Sequence, residues 1–238
     1  MNKKSNDNYW VSLSDIMTGL MVIFLFIAIS YIVEVQKEQN ARDELFAEFQ
    51  LTKENLYNEL NEKFKDDFQD WKVELDKNLS IKFTNPDVLF RFGSNQIEPK
   101  FMAILDEFLP KYFDIILQDK YRERIAEIRI EGHTDMAPVK NTPDPYIGNV
   151  ILSQQRSAEV LKYFRNMPYY KKLSDINKQQ LLFWLTANGL SYGKTLDDNK
   201  QLTAVSKMPV NNAYSRRVEF RIVTTSESLV EKVIEQLE

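Results

Sequence analysis

The sequence predicts an α+β protein with one N-terminal transmembrane helix, a long connector helix, and a domain in which helices pack on a small mixed sheet. Three observations support this fold class. Residues 16–33 contain no charged side chain, residues 34–78 contain neither Gly nor Pro, and residues 80–223 alternate short β-like runs with helical segments. A chain of 238 residues has room for one domain of ordinary size beside such segments. We expect a tail at 1–10, the span at 11–33, the connector at 34–79 and the domain at 80–238.

The apolar run from Ile16 to Val33 is long enough to cross a bilayer. At about 1.5 Å per residue it extends roughly 27 Å, close to the thickness of the hydrocarbon layer. The bulky residues 31–33 lead directly into charged sequence, so an uncleaved anchor is expected rather than a signal peptide. Lys3 and Lys4 precede the run, and the flank after it is balanced or acidic. This asymmetry predicts an inner-membrane protein with a cytoplasmic N-terminus and a periplasmic C-terminal domain.

The connector, residues 34–79, carries apolar side chains three or four positions apart, as an amphipathic helix does. These side chains are Leu45, Phe49, Leu56, Leu60, Phe64, Phe68, Trp71 and Leu75. Charged residues flank the narrow stripe, and three arrangements fit it: a coiled coil with a second copy, a helix folded back on membrane or domain, and a solvated connector. The sequence leaves all three open.

The segment after Ser80 alternates between strand and helix patterns. We expect strands at 81–83, 88–92, 125–131, 183–186 and 217–223, and helices at 97–117, 149–164 and 226–237. Pro99 is tolerated in the first turn of its helix, and the alternation of Ile125, Ile128 and Ile130 is typical of a buried strand. Such an order predicts helices on one face of a small sheet.

Composition argues against several classes of function. The absence of cysteine excludes disulfides and thiolate metal sites. A net charge of −4 with dispersed basic residues gives no reason to expect nucleic acid as a partner. The carboxylates Asp106 and Glu107 lie on a helix, where a solvated face is the usual explanation. His133, the single histidine, has no evident catalytic partner, so we expect it to pack at a strand end. The sequence therefore predicts no enzyme, no bound metal and no cofactor.

One carboxylate, Asp15, lies at the edge of the apolar run. Trp10 and Tyr31 suit the two membrane interfaces, and on that frame Asp15 lies about 7.5 Å beneath the first of them. An aspartate at the centre of a spanning helix costs about 2.5 to 3.5 kcal/mol, so it persists where it has a partner, a water path or a function. The alternative is a helix N-cap, with the helix beginning at Ile16. Ser12 and Ser14 offer the same cap at a smaller desolvation cost.

Helical spacing places a stripe of small and polar residues on one side of the span. The stripe consists of Ser12, Asp15, Thr18, Gly19 and Val22, with bulkier apolar residues covering much of the rest. A stripe of this kind favours a protein neighbour for Asp15. A membrane potential supplies about 2.3 kcal/mol per charge per 100 mV to drive an ion through such a site.

The stretch from Trp10 to Leu25, with the pattern W…S..D.MT.LM…F, resembles the start of the MotB family of flagellar stator subunits. In that family the single aspartate binds the translocated ion, so the resemblance assigns ion binding to Asp15. The ion is a proton or sodium.

The outer domain separately resembles the OmpA-like peptidoglycan-binding domain. The similar motifs are Leu89-Phe-Arg-Phe-Gly-Ser-Asn-Gln-Ile-Glu-Pro99, Ile130-Glu-Gly-His-Thr-Asp135, Asn149-Val-Ile-Leu-Ser-Gln-Gln-Arg156, Asn188-Gly189 and Arg216-Arg-Val-Glu219. The resemblance implies that Asp135 and Arg156 hold the diaminopimelate of a peptide stem, supported by Thr134, Asn149 and Arg217. A carboxylate and a guanidinium suit a zwitterion. The alternative is a structural salt bridge between Asp135 and Arg156.

Three departures from the family pattern affect this site. Residues 136–148, which contain three prolines, form an enlarged loop that is positioned to reshape or cover it. Arg91 stands where family members commonly have an acidic residue, and Ser215 replaces the usual Asn before the paired arginines.

An ion-binding span joined to a wall-binding domain resembles the B subunit of a two-component ion-driven motor. The resemblance implies a polytopic partner of the MotA or ZorA type, with five such subunits around a homodimer of this chain. Two families combine both modules, the flagellar stators and the ZorB family of Zorya anti-phage systems. The short tail, the compact connector and the variant Ser12-Leu-Ser-Asp15 look less like a flagellar protein, which favours the ZorB family. A passive tether between membrane and wall is the alternative of another class.

Overall fold

The computed structural model describes residues 4–84, 86–91, 93–140 and 142–225, so the helix expected at 226–237 lies outside the described residues. The chain divides into two compact units between Glu48 and Phe49.

The first unit is formed by one long helix. This helix, α1, runs from Lys4 to Phe64, and the first unit contains its part up to Glu48. An 18-residue window of α1 has a mean hydropathy of 2.6, so by length and composition the helix is able to cross a membrane. The large apolar side chains from Trp10 to Val33 are exposed. The structure agrees with the single N-terminal apolar helix predicted from the sequence.

The second unit is an α+β domain that contains the last turns of α1. Its helices are α2 (Asp67–Trp71), α3 (Pro86–Leu89), α4 (Pro99–Ile116), α5 (Pro145–Asn166), α6 (Pro168–Lys172), α7 (Asp175–Trp184), α8 (Thr203–Ser206) and α9 (Asn212–Ser215). Its strands are β1 (Val73–Leu75), β2 (Ser80–Phe83), β3 (Ile125–Gly132), β4 (Leu185–Gly189) and β5 (Val218–Thr224). A short 3₁₀ helix at Asp119–Tyr121 precedes β3.

The five strands form one mixed sheet in the order β1-β2-β5-β3-β4. Only β3 and β4 run parallel, and α5 to α7 provide the crossover that a parallel pair requires. The other three pairs are antiparallel. The sheet places the end of β3 beside both the end of β4 and the start of β5, since Gly132 is opposite Gly189 on one side and Val218 on the other.

The core lies between the sheet and the helices on one of its faces. Phe108 of α4 contacts Phe83 of β2 and Phe220 of β5, with ring centroids 5.0 and 5.1 Å apart. Phe64, near the end of α1, contacts the same Phe108 at 5.2 Å. Along β5, Val218 and Phe220 face this core, whereas the intervening Glu219 faces the other side of the sheet, as the period of a strand requires. The predicted fold class is confirmed.

The connector helix predicted over residues 34–79 was too long. The helix ends at Phe64, and the rest of that segment forms α2 and the edge strand β1. Lys72 follows α2 with a left-handed φ of 52°, which ends the helix. The helical spacing misled because Phe68 and Trp71 both contact Phe64 beside the domain core, with ring centroids about 6 Å away, although the helix ends between them and Phe64.

The strand predicted at 88–92 was also wrong. Residues from Pro86 to Leu89 form the short helix α3, and Phe90 makes one isolated bridge with Ile97. A short apolar run fits strand and helix equally, and the proline at the first helical position decides for the helix. The strand predicted at 183–186 is β4, which begins only after α7, a helix the sequence analysis did not predict.

Candidate functional site

A close contact between α5 and the sheet creates the candidate site. A Cβ atom on Gly132 would lie 2.3 Å from the carbonyl oxygen of Ser153, and one on Gly189 would lie 2.4 Å from the nitrogen of Gln154. Only glycine allows this approach. The ends of β3 and β4 therefore meet the middle of α5, which carries the sequence-predicted residues Asn149 and Arg156.

The turn after β3 is held by its two neighbours. The backbone nitrogen of His133 donates to the carbonyl of Arg217 at 3.0 Å, and that of Thr134 donates to the carbonyl of Ser191 at 3.0 Å. These bonds fix the direction in which the following residue, Asp135, leaves the sheet. Asp135 is buried, with 6% of its surface exposed.

Helix α5 begins with a side-chain cap and anchors the loop before it. The carboxylate of Asp144 accepts hydrogen bonds from the backbone nitrogens of Tyr146 and Ile147 at 2.8 and 3.3 Å. The Asn149 side chain donates to the carbonyls of Ala137 and Pro145 at 2.9 and 3.0 Å. Asn149 thus holds the two ends of the enlarged loop together, a positioning role.

The two predicted charges, Asp135 and Arg156, have different partners. Asp135 accepts from Arg216 Nη1 at 2.6 Å through one oxygen and from the backbone nitrogen of Ala137 at 3.0 Å through the other. Arg156 donates from Nε to the carbonyl of Ser94 at 2.9 Å, and its guanidinium lies 5.2 Å from the Phe90 ring centroid. The salt bridge that Asp135 forms in the described structure is with Arg216, not with Arg156.

Both charges border one cavity of about 280 Å³. Its lining consists of Gly93, Thr134, Asp135, Ala137, Pro138, Val139, Lys140, Asn149, Leu152, Arg156 and Arg216. Burial lowers the pKa of Arg156 to about 10, which still leaves the guanidinium charged at neutral pH. The Thr134 hydroxyl is buried and has no hydrogen-bond partner within the described part of the chain. The enlarged loop supplies the wall from Ala137 to Lys140, so it shapes the cavity.

Arg217, which the resemblance placed among the supports, lies outside this cavity. It forms a buried ion pair with Glu219 at 2.5 Å and donates to the carbonyls of Lys194 and Ser215 at 3.1 and 3.2 Å. Glu219 also accepts from the Ser80 hydroxyl at 2.6 Å. Burial alone raises the pKa of Glu219, but the nearby Arg217 charge and the Ser80 hydrogen bond help lower it to about 2. Arg217 therefore has a structural role.

His133 lies in the same buried cluster. Its Nε2 atom is 3.7 Å from Glu131 and 3.5 Å from Glu219, and burial lowers its pKa. Glu131, His133 and Glu219 are ligand types that bind metals, and their ligand atoms lie within 4.8 Å of one another. Arg217 already forms an ion pair with Glu219, however, and the positive charge of its guanidinium repels a cation at this place. We interpret the group as an ion-pair cluster that supports the turn after β3.

Arg216 is a charged residue of the cavity that was not predicted from the sequence. Strand alternation contains the signal that finds it: Val218 and Phe220 face the helices, so Arg216 falls on the helix side and Arg217 on the other. The paired arginines therefore divide two tasks, one at the cavity and one in the buried cluster.

This division predicts different losses for two neighbouring substitutions. Arg217→Met is expected to lower the free energy of unfolding by about 3–5 kcal/mol, because it leaves the buried Glu219 charge unpaired. Arg216→Met is expected to cost less, since its side chain is 28% exposed against 2% for Arg217. Chemical denaturation of the full chain in detergent, followed by circular dichroism, measures both. Equal losses would contradict the assignment.

The first unit places Asp15 inside a continuous helix. Because α1 begins at Lys4, Asp15 lies eleven residues past its start and is not its N-cap, so the capping alternative is wrong. One turn further, the Thr18 hydroxyl donates to the carbonyl of Ser14 at 2.8 Å. Asp15 is thus a carboxylate on a helix whose large apolar side chains are exposed, a surface that requires lipid or another protein.

Comparison with known proteins gives relatives for the whole chain and for its outer domain. The OmpA family model matches residues 89–207. Zorya protein ZorB of Escherichia coli is 38% identical over 238 residues, covering 98% of this chain and 96% of the relative.

Solved structures also resemble the chain. A MotB-like protein from Desulfovibrio vulgaris is 24% identical with a TM-score of 0.48, over 75% of this chain and 98% of that one. The periplasmic domain of Helicobacter pylori MotB is 20% identical with a TM-score of 0.40, over 66% of this chain and 84% of that one.

The small mixed sheet, the cavity beside α5 and the matched residues define an OmpA-family domain attached to an apolar N-terminal helix. More specifically, the extent and identity of the full-length match show that the chain belongs to the family of Zorya protein ZorB. Neither family is a family of enzymes.

Proposed function

We propose that this chain is the peptidoglycan-anchored B subunit of a two-component, ion-driven rotary motor in the bacterial inner membrane. The observation that carries the proposal is the position of Asp15, a carboxylate inside an apolar helix and too far from the helix start to cap it. The same chain carries a cavity bordered by a buried carboxylate and a buried guanidinium. In this proposal the N-terminal helix binds the ion, and the outer domain binds the cell wall.

The ligand that best fits the cavity is an amino-acid zwitterion, such as the free end of diaminopimelate in a peptide stem. Asp135 binds the ammonium group and Arg156 offers its guanidinium to the carboxylate. The Thr134 hydroxyl, which has no partner among the described residues, supplies a further hydrogen bond. Asn149 positions the loop that forms one wall. The cavity binds and does not catalyse, because none of these groups is arranged as a nucleophile with a base.

A single helix forms no pore, so a polytopic partner of the MotA or ZorA type completes the ion path around Asp15. In this proposal five partner subunits surround a homodimer of the chain, with the N-terminus cytoplasmic and the domain in the periplasm. The carried ion is a proton. Its passage through Asp15 turns the ring of partner subunits around the dimer, and the domain's hold on the wall prevents the dimer from turning with it.

The family of the chain favours a role in Zorya anti-phage defence over a flagellar one. Support comes from a relative named Zorya protein ZorB, matched along nearly the whole of both chains. A passive tether remains the rival from another class, and it differs in needing no carboxylate at Asp15.

Binding to the wall is tested by co-sedimentation of the full chain with purified sacculi. Asp135→Ala and Arg156→Ala are each expected to weaken binding about ten- to hundredfold, since each removes a charged hydrogen bond worth about 1.5–3 kcal/mol. Arg165→Ala is the matched control, because Arg165 lies on the same helix with its side chain exposed and outside the cavity. Unchanged sedimentation of both cavity variants would refute the wall-binding role.

A further inference from the structure

A second concave surface adjoins the cavity and shares one residue with it. This groove, of about 490 Å³, is lined by Phe68, Gln69, Lys72, Val73, Glu74, Thr84, Lys200, Ala213, Tyr214 and Arg216. Arg216 lines both the groove and the cavity, so its side chain lies between the two. The groove lies along α2, β1 and α9, mostly outside the segment that matches the OmpA family.

The two surfaces together are strongly basic. Five cationic side chains line them, Lys72, Lys140, Arg156, Lys200 and Arg216, against the two carboxylates of Glu74 and Asp135. The chain as a whole carries a net charge of −4. A local excess of positive charge on an acidic protein favours a ligand with more carboxylates than ammonium groups.

The three groove cations differ in their partners. Lys200 is paired with Glu74 and lies over the Tyr214 ring, 5.0 Å from its centroid, so its charge is already balanced. Lys72 is exposed and forms no ion pair with any described residue. Among the described residues, Arg216 forms its ion pair with Asp135, and a ligand must disturb that bond.

Binding of an ammonium group at Asp135 creates a need for a second anion. One carboxylate oxygen of Asp135 accepts a hydrogen bond from Arg216, and the other accepts one from the backbone nitrogen of Ala137. A ligand ammonium that approaches this carboxylate must share it with Arg216, which leaves the guanidinium short of a partner. A carboxylate placed on the groove side of Arg216 restores that partner and lies within the field of Lys72.

We infer that the groove is a second subsite, which binds another carboxylate of the same peptide stem through Arg216 and Lys72. The inference rests on the proposed function of the cavity and names a further part of its ligand. In a stem, a D-glutamyl residue joined through its side-chain carboxyl leaves its α-carboxylate free next to diaminopimelate. The ligand class is therefore an acidic peptide with one zwitterionic end and a neighbouring carboxylate.

The test compares two ligands by isothermal titration calorimetry with the full chain in detergent micelles. One ligand is free meso-diaminopimelate, and the other is the tripeptide L-alanyl-γ-D-glutamyl-meso-diaminopimelate. The unsubstituted chain is expected to bind the tripeptide more tightly. Lys72→Glu is expected to weaken tripeptide binding about three- to tenfold, as reversal of one exposed charge does, and to leave free diaminopimelate within about twofold.

Lys77→Glu is the matched control, since it makes the same change of net charge at an exposed lysine outside the groove. The inference is overturned if Lys72→Glu affects both ligands equally, affects neither, or has no more effect than Lys77→Glu. It is also overturned if the tripeptide binds no more tightly than diaminopimelate, although the proposed function then stands. If diaminopimelate itself does not bind, the proposed function of the cavity fails and the subsite fails with it.

Discussion

Replacement of Asp15 by asparagine is expected to abolish ion flow and the activity that depends on it, down to the level of cells that lack the chain. Asparagine keeps the size and most hydrogen bonds of the side chain but cannot take up and release a proton. The change also removes a charge from a segment bound for the membrane, so insertion should improve if it changes at all. Protein level and membrane location are therefore expected to persist.

The experiment expresses the chain together with its polytopic partner and follows both cytoplasmic pH and protection against phage. Glu34→Gln is the matched control, because it neutralises a carboxylate just beyond the opposite end of the apolar run. An Asp15→Asn protein that still protects cells would exclude ion transport through this residue and favour the passive tether.

A fragment that begins at Phe49 is expected to fold, whereas one that begins at Ser80, the boundary expected from the sequence, is not. The second fragment lacks β1 and the buried residues Leu56, Leu60 and Phe64 of α1, all of which are 0% exposed. Without these residues, the apolar surface of Phe108 and of the neighbouring core is open to water. Circular dichroism and the cooperativity of thermal unfolding distinguish a folded domain from a collapsed one.

Single substitutions within the longer fragment test the same point. Leu60→Ala is expected to lower the free energy of unfolding by about 2–5 kcal/mol, the usual cost of truncating a buried leucine. Glu62→Ala, two residues further on the same helix, changes an exposed side chain whose surface ion pair with Lys65 contributes little to stability. A fragment starting at Ser80 that unfolds cooperatively, or a small effect of Leu60→Ala, would show that the end of α1 is dispensable.

The sequence could predict the elements whose pattern is local. The alternation of Ile128 and Ile130 marks β3, and the run from Asn149 to Phe164 falls within α5. The end of the connector helix could not be found in this way. Phe68 and Trp71 keep a helical spacing while packing on a core that forms only when distant strands assemble, and spacing does not report that packing.

The residues of the site were also predictable only in part. Asp135 and Arg156 were identified through family motifs, and the structure brings both to one cavity. The partner of Asp135 was not predicted, because Arg216 and Arg217 are adjacent and of one type. The alternation of Val218 and Phe220 separates the two arginines, but only the assembled domain shows that Arg216 lies on the side of the cavity.

The attachment of α1 to the domain has a mechanical consequence. Leu56, Leu60 and Phe64 are fully buried. Glu59 accepts a hydrogen bond from the Tyr121 hydroxyl at 2.8 Å and forms an ion pair with Lys120. A force that reaches the domain through this helix acts directly on these buried contacts. To detach the helix, the force must withdraw three buried side chains and break the bonds of Glu59 together. The same residues therefore set how well the domain resists heat and how well it resists being pulled.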